Sequence, residues 1–207
     1  VIVSTARTRI GKAFKGAFND TQAQTLAGHA ISEAVKRSGV AKEEIDDVVL
    51  GAASQQGTQQ GNIARQALLR AGLPVSVAGM SLDRQCASGM MAIATAAKEI
   101  IDDGMKITVG GGVESVSLTR NEHFRTDRAR DPWFETYLPT LYMTMIETAE
   151  NVAQRYGISR EAQDEYSYQS QMRTANAQGA GLLGTEIGPL KSQMKIKDKE
   201  NGKIITK

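Results

Sequence analysis

Between Ser81 and Met91 the chain reads as the end of a strand, a single cysteine and the start of a helix, and this junction limits the folds open to it. Val75 to Leu82 is a short apolar run preceded by Gly72-Leu73-Pro74, as expected of a strand. Polar Asp83-Arg84-Gln85 and Cys86 follow, and small Ala87, Ser88 and Gly89 lead a helix that runs through Met90 to Ile101. Ala92, Ala94, Ala96 and Ala97 leave that helix with slim faces that other backbones can approach, which predicts a place in the middle of a domain. The residue types leave two readings of Cys86 open. It is an inert small hydrophobe, or a nucleophile whose thiolate is stabilised by unpaired N–H groups at the helix start.

The junction belongs to a longer alternation. Val1-Ile2-Val3-Ser4 is β-branched and reads as a buried strand, and Arg7 to Asp20 as a loop. From Gln22 the apolar positions Ala23, Leu26, Ala27, Ala30, Ile31, Ala34 and Val35 follow helical spacing, and Ser38-Gly39 supplies the stop. Asp47 to Ala53 reads as a second strand, which makes a βαβ unit with a right-handed crossover. A loop rich in Gly, Gln and Ser spans Gly51 to Gly61, a helix spans Asn62 to Ala71, and Met105 to Val113 is a strand ending in Gly110-Gly111-Gly112. The first 118 or so residues therefore predict a layered α/β domain with a mainly parallel sheet.

Composition excludes several classes. With 207 residues, 41% of them hydrophobic, the chain can bury a sizeable core in one large or two small domains. Twenty-five basic residues against 23 acidic ones give no whole-chain case for nucleic acid or a membrane surface. No apolar run approaches the roughly 20 residues of a spanning helix, and no secretory core follows a basic start. A soluble, cytoplasmic protein is expected, or a mitochondrial or peroxisomal one in a eukaryote. The single cysteine forms no internal disulfide, which suits a reducing compartment. The glycines between Gly51 and Gly61 make no Gly-x-Gly-x-x-Gly pattern, no Gly-Lys-Ser/Thr phosphate loop occurs, and neither a metal nor a cofactor is expected.

Asp83-Arg84-Gln85-Cys86-Ala87-Ser88-Gly89-Met90 resembles the nucleophile segment of thiolases, whose usual form is Asn-x-x-Cys-(Gly/Ala)-Ser-Gly before an apolar residue. Four further stretches agree in order: Val1 to Thr8 with Ile10-Gly11-Lys12, Asn62 to Ala67, Val109 to Ser115, and Thr148 to Ala153. The resemblance implies a layered thiolase-like N-terminal domain over residues 1–118, with a mainly parallel mixed sheet and a central helix. It also implies an incomplete loop domain over residues 119–207, and a chain that represents the N-terminal half of a longer protein.

The implied activity is acyl transfer, with Cys86 carrying the acyl group and its backbone N–H helping to hold the oxyanion. Acyl-CoA and coenzyme A are the implied partners, as substrates. The family's Gly-His-Pro and Cys-x-Gly motifs do not occur, and His29 and His123 have the wrong neighbours, so both read as structural or solvated. Asp83 stands where the family commonly has Asn. Thr144 stands where several biosynthetic members carry a pocket histidine, beside Met145, which the resemblance assigns to the substrate pocket and which core packing would equally explain.

Beyond Thr119, Arg125, Arg128 and Arg130 stand among acidic residues, followed by Trp133, Phe134 and Tyr137 without a clear period. This stretch reads as a solvated excursion; the resemblance implies instead a subunit contact, in a homodimer or homotetramer. Helices are predicted over Met143–Tyr156 and from Ser159 towards Gln178, then a hairpin over Lys195–Thr206 with Asn201-Gly202 at its turn. Two other functions stay open: a non-catalytic binding or assembly module, and a related condensing enzyme of the ketoacyl-synthase type.

Overall fold

A computed structural model describes residues 1–197 and 204–206. The chain forms two compact units, one from Val1–Phe124 together with the segment that starts at Glu186, the other Arg125–Thr185. Each is described by itself.

In the first unit the alternating sequence forms a three-layer arrangement. Helix α1 (Ala23–Ser38) ends at Gly39, which takes the left-handed conformation (φ 73°) that glycine adopts without steric cost. Strand β1 (Asp47–Gly51) is buried along its whole length, as a strand covered on both faces must be. Helix α2 (Ile63–Arg70) leads to strand β2 (Ala78–Leu82), helix α3 (Ser88–Ile101) and strand β3 (Thr108–Gly112). The sheet order is β2-β1-β3 and both pairings are parallel, with Gly51 opposite Leu82 on one side and Gly112 on the other. Val48 and Leu50 join Ala64, Ala67 and Leu68 of α2, with Ala27, Ile31 and Val35 of α1 in the same core. On the opposite face Val49 meets Ala92 and Ala96 of α3.

Two expectations change. Val1 to Ser4 forms no strand, and Val1, Ile2 and Val3 are exposed. A strand exists only through a ladder, and here the backbone just beyond is bonded elsewhere. Ser4 Oγ donates to the Ala34 carbonyl (2.8 Å), Arg7 N–H to Glu186 (2.9 Å), and Gly188 N–H to Arg7 (2.9 Å). Arg37 ties Thr5 and Ile187 to the same helix, α1. The first βαβ unit is consequently β1–α2–β2, not one begun at Val1. Helix α3, expected to be enclosed, buries only the stripe Ser88, Ala92, Ala96 and Glu99, while Met90, Ile93, Ile100 and Ile101 are exposed. Its apolar residues circle the helix, whereas the sheet covers one side.

The short α4 (Val116–Thr119) buries Thr119, and Lys195–Lys197 (β4) pairs antiparallel with Ile204–Thr206 (β5). The hairpin's Asn201-Gly202 turn lies outside the described residues. Among those residues no helix is long and apolar enough to cross a membrane.

The second unit holds α5 (Pro132–Tyr137), α6 (Met145–Tyr156) and α7 (Arg160–Gly179). Their starts are set by side chains that take up otherwise unpaired N–H groups: Asp131 for Trp133, Thr144 for Glu147 and Ser159 for Ala162. Helix α5 was not legible from apolar period. An Asp131 cap, Pro132 in the first turn and packing of Trp133 on Phe134 and Tyr137 (ring centroids 5.2 and 4.9 Å) account for it.

At the amino end of the sheet, Asp47 and Glu99 are buried, and Asp47 Oδ1 and Glu99 Oε2 have no hydrogen-bond partner. Burial raises the pKa of both, and the charge of Asp47 raises Glu99 further. Backbone N–H bonds from Ile107 and Lys106 lower Asp46. A raised folded pKa means that the folded state holds its protons longer than the unfolded chain does. The stability contributed by protonated Asp47 and Glu99 is therefore present at low pH and lost as pH rises through their folded values. Glu99→Gln should raise stability at neutral pH by about 1 kcal/mol, a Tm gain of roughly 2–4 °C in thermal unfolding. The gain should vanish below the ordinary carboxylate range, where Glu99 is protonated in both states.

Candidate functional site

The three parallel strands end together at Gly51, Leu82 and Gly112, and the first turn of α3 lies directly against those ends. A Cβ on Gly51 would stand 2.2 Å from the carbonyl carbon of Ser88 and 2.6 Å from the nitrogen of Gly89. A Cβ on Gly110 would stand 2.8 Å from Ile93 Cα, and one on Gly112 would stand 3.2 Å from Gly89 Cα. Only strand positions without a side chain admit the helix at this distance. This approach places the segment before α3, with Cys86 in it, at the carboxyl end of the sheet, where parallel α/β sheets bind their ligands.

The segment itself is tied down at nearly every residue. Asp83 Oδ1 accepts the Gln85 N–H (2.7 Å), a side chain imitating a backbone turn. Buried Ser88 accepts the Arg84 N–H on its hydroxyl oxygen (2.8 Å) and donates that hydroxyl to the Gln85 carbonyl (2.6 Å). The N–H groups of Ala87 and Ser88 go to the carbonyls of Arg84 and Gln85. Gln85 takes φ 48°, in the left-handed region that a side chain makes costly, and these bonds hold it there. The reversal at Gln85 turns the chain from β2 into α3. Cys86 sits exposed just before the helix cap at Ala87, so the helix start lies next to its thiol.

Two polar groups position this region from behind. Asn62, itself left-handed (φ 60°), caps α2 through Arg65 N–H, donates to the Gly79 carbonyl (2.8 Å) and accepts from Ser81 (3.0 Å). Arg65 donates to the carbonyls of Val75 and Val77. Together they bind α2 to the strand that delivers Cys86. Gln59, only 1% exposed, donates to Ser54 (2.8 Å) and to Glu114 (2.9 Å), and it accepts the Ser115 N–H. Glu114 also accepts the Ala53 N–H (2.9 Å), which closes the loop after β1 onto the end of β3.

The residues singled out in the sequence fall in different places. Cys86 belongs to the first unit and Met145 to the second. Met145, 75% exposed, follows the α6 cap directly, and core packing does not describe it. Thr144 forms a reciprocal cap with Glu147, whose pKa the Thr144 backbone and hydroxyl donors lower. His29 Nε2 meets the Gly188 carbonyl at 3.1 Å, and His123 is exposed beside Glu122. Among the described residues no three His, Cys, Asp or Glu side chains are placed to hold a metal. The Asp83 contact uses one acceptor oxygen, which an Asn would also supply. Gln59 and the strained Gln85 escaped sequence reasoning. A glutamine in a polar loop carries no sign of burial, and Gln is not a residue type that marks a positive φ.

Comparison with known proteins gives a consistent result. The family described as "Thiolase, N-terminal domain" matches residues 1–206. A 3-ketoacyl-CoA thiolase of Bacillus subtilis is 36% identical over 197 residues, covering 92% of this chain and 48% of the relative. An acetyl-CoA acetyltransferase of Cupriavidus necator is 39% identical over 200 residues, covering 92% and 50%. The crystal structure of the Bacillus anthracis acetyl-CoA acetyltransferase superposes with TM-score 0.77 at 35% identity, over 100% of this chain and 53% of that one. The chain spans about half the length of the curated relatives it matches.

Substitutions separate the two supports of the junction. Gly51→Ala forces a Cβ into the α3 backbone and should cost about 1–3 kcal/mol in denaturant unfolding. Asp83→Asn should leave stability unchanged, whereas Asp83→Ala should lose about 1 kcal/mol with the turn bond.

Proposed function

This chain belongs to the thiolase family, and from that premise we propose that it is the nucleophile-bearing part of an acyltransferase acting on coenzyme A thioesters. The observation that carries the reading is the exposed Cys86, held at the head of α3 on a strained turn whose neighbouring residues are hydrogen-bonded. In the proposed first step the Cys86 thiolate attacks the thioester carbonyl carbon. A sulfur–carbon bond forms, the negative charge passes to the carbonyl oxygen, and the Cys86 N–H donates to that oxyanion. Collapse of the intermediate breaks the bond to the coenzyme A sulfur, which leaves as its thiolate, and an acyl-cysteine remains.

Making or cleaving the carbon–carbon bond of a 3-ketoacyl-CoA needs further proton-transfer groups. Neither a Gly-His-Pro nor a Cys-x-Gly motif occurs in this sequence, and we assign those groups to residues outside it. Met145 is the proposed contact of this chain with the substrate, and its exposure on α6 supports that role. A homodimer or homotetramer is proposed for the assembled protein. Trp133, Tyr137, Leu138 and Leu141, exposed around α5, offer apolar area of the kind that interfaces cover. A nucleophilic thiol suits a reducing compartment, and the cytoplasm is the proposed one.

Intact-mass analysis of the protein carrying this sequence, before and after incubation with acetyl-CoA, tests the reading. One acetyl group is expected, mapped to Cys86 by peptide digestion. Cys86→Ser should lose the adduct and lower turnover by at least about a thousandfold. Turnover that survives the substitution, or an acetyl group on another residue, overturns the assignment of Cys86. Absence of both adduct and turnover in the unsubstituted protein favours a non-catalytic module.

A further inference from the structure

A cavity of about 200 Å³ opens between the loop after Arg7 and the start of α4, and none of the residues from Asp83 to Ser88 lines it. Its volume equals the liquid share of about six or seven waters, enough for a small molecule and too little for a nucleotide. Arg9 and Lys12 line it and join no ion pair among the described residues. Glu114 is the one carboxylate in the lining, and its two oxygens already accept from the Ala53 N–H and the Gln59 amide. Formal charge in the lining is thus positive, and the negative member is engaged with the fold.

The other walls narrow the ligand further. Ser117 Oγ accepts the Phe14 N–H (2.8 Å), a bond that holds Phe14 at φ 63° and fixes the loop to α4. Its hydroxyl proton is left to donate to an acceptor in the cavity. Half-buried Phe18 and Leu26 supply apolar wall. A guanidinium, an ammonium and a hydroxyl donor suit a carboxylate head, and the apolar wall suits a short hydrocarbon tail. We propose that this cavity binds a small aliphatic carboxylate. Bare phosphate satisfies the cations and leaves the apolar wall uncovered.

The test uses butyrate as the probe and the protein carrying this sequence, observed by saturation-transfer NMR of the butyrate protons. Transfer is expected, and it should persist when Cys86 has been alkylated with iodoacetamide. Arg9→Ala and Lys12→Ala should each weaken binding about threefold, and the double substitution about tenfold, the range for exposed charge pairs. Lys15→Ala, a change of equal charge outside the cavity lining, should leave binding unchanged. Arg9 and Lys12 are exposed, and circular dichroism checks that their variants fold. Conservative Arg9→Lys should retain most of the binding. The proposal is overturned by absence of transfer, by transfer that the double substitution does not weaken, or by loss of transfer on alkylation of Cys86. Inorganic phosphate displacing butyrate at equal concentration also overturns it, because the apolar wall would then contribute nothing.

Discussion

Gly51 meets the backbone of Ser88 and Gly89 with no side chain between them, and the first unit depends on that contact. Backbone against backbone gives the closest approach that a helix and a strand can make. It requires glycine at the strand end, and Gly110 and Gly112 extend the same clearance along β3. The result is a helix start set level with the ends of three parallel strands. Only one loop residue then needs an unfavourable conformation, Gln85, and Asp83 and Ser88 offset its cost with hydrogen bonds. Cys86 is presented to solvent because its neighbours in sequence are the ones that are tied.

Several polar residues near this junction serve its geometry. Asn62 and Arg65 spend their donors on backbone carbonyls of β2 and of the turn before it. Gln59 and Glu114 join two loops through buried or half-buried bonds, and removing either would strand a polar partner. Residues of a stretch shared with the family thus include ones whose bonds hold the segment bearing Cys86 in place.

The two ends of the sheet differ in what they cost. At the carboxyl end, glycines and a bonded loop hold Cys86 with little burial of charge. At the amino end, Asp47 and Glu99 lie buried with unpartnered oxygens and raised pKa values, while Asp46, one residue earlier, gains two backbone donors. The same strand start thus carries one carboxylate that favours its charged form and one that does not. Val48 follows Asp47 in β1 and Ile100 follows Glu99 in α3, and the folded arrangement tolerates the pair.

Much of this was legible in the chain. Helical spacing from Ala23 and the Ser38-Gly39 stop gave α1, and Ser159 marked the start of α7, because caps and periodicity are local properties. The resemblance around Cys86 located the candidate nucleophile, since a strand-to-helix junction with small residues is written in consecutive positions. Tertiary structure decided the rest. Val1 to Ser4 has the composition of a strand, yet a strand also needs a neighbour's unpaired backbone, and the chain just beyond is tied to α1 and the Glu186–Gly188 segment. The burial of one face of α3, the left-handed turn at Gln85 and the enclosure of Gln59 depend on what packs across from them. Sequence determined which elements could form, through local propensity and pattern. Which backbone each element met, and so which residues were left exposed to react, was decided by long-range packing that no short stretch encodes.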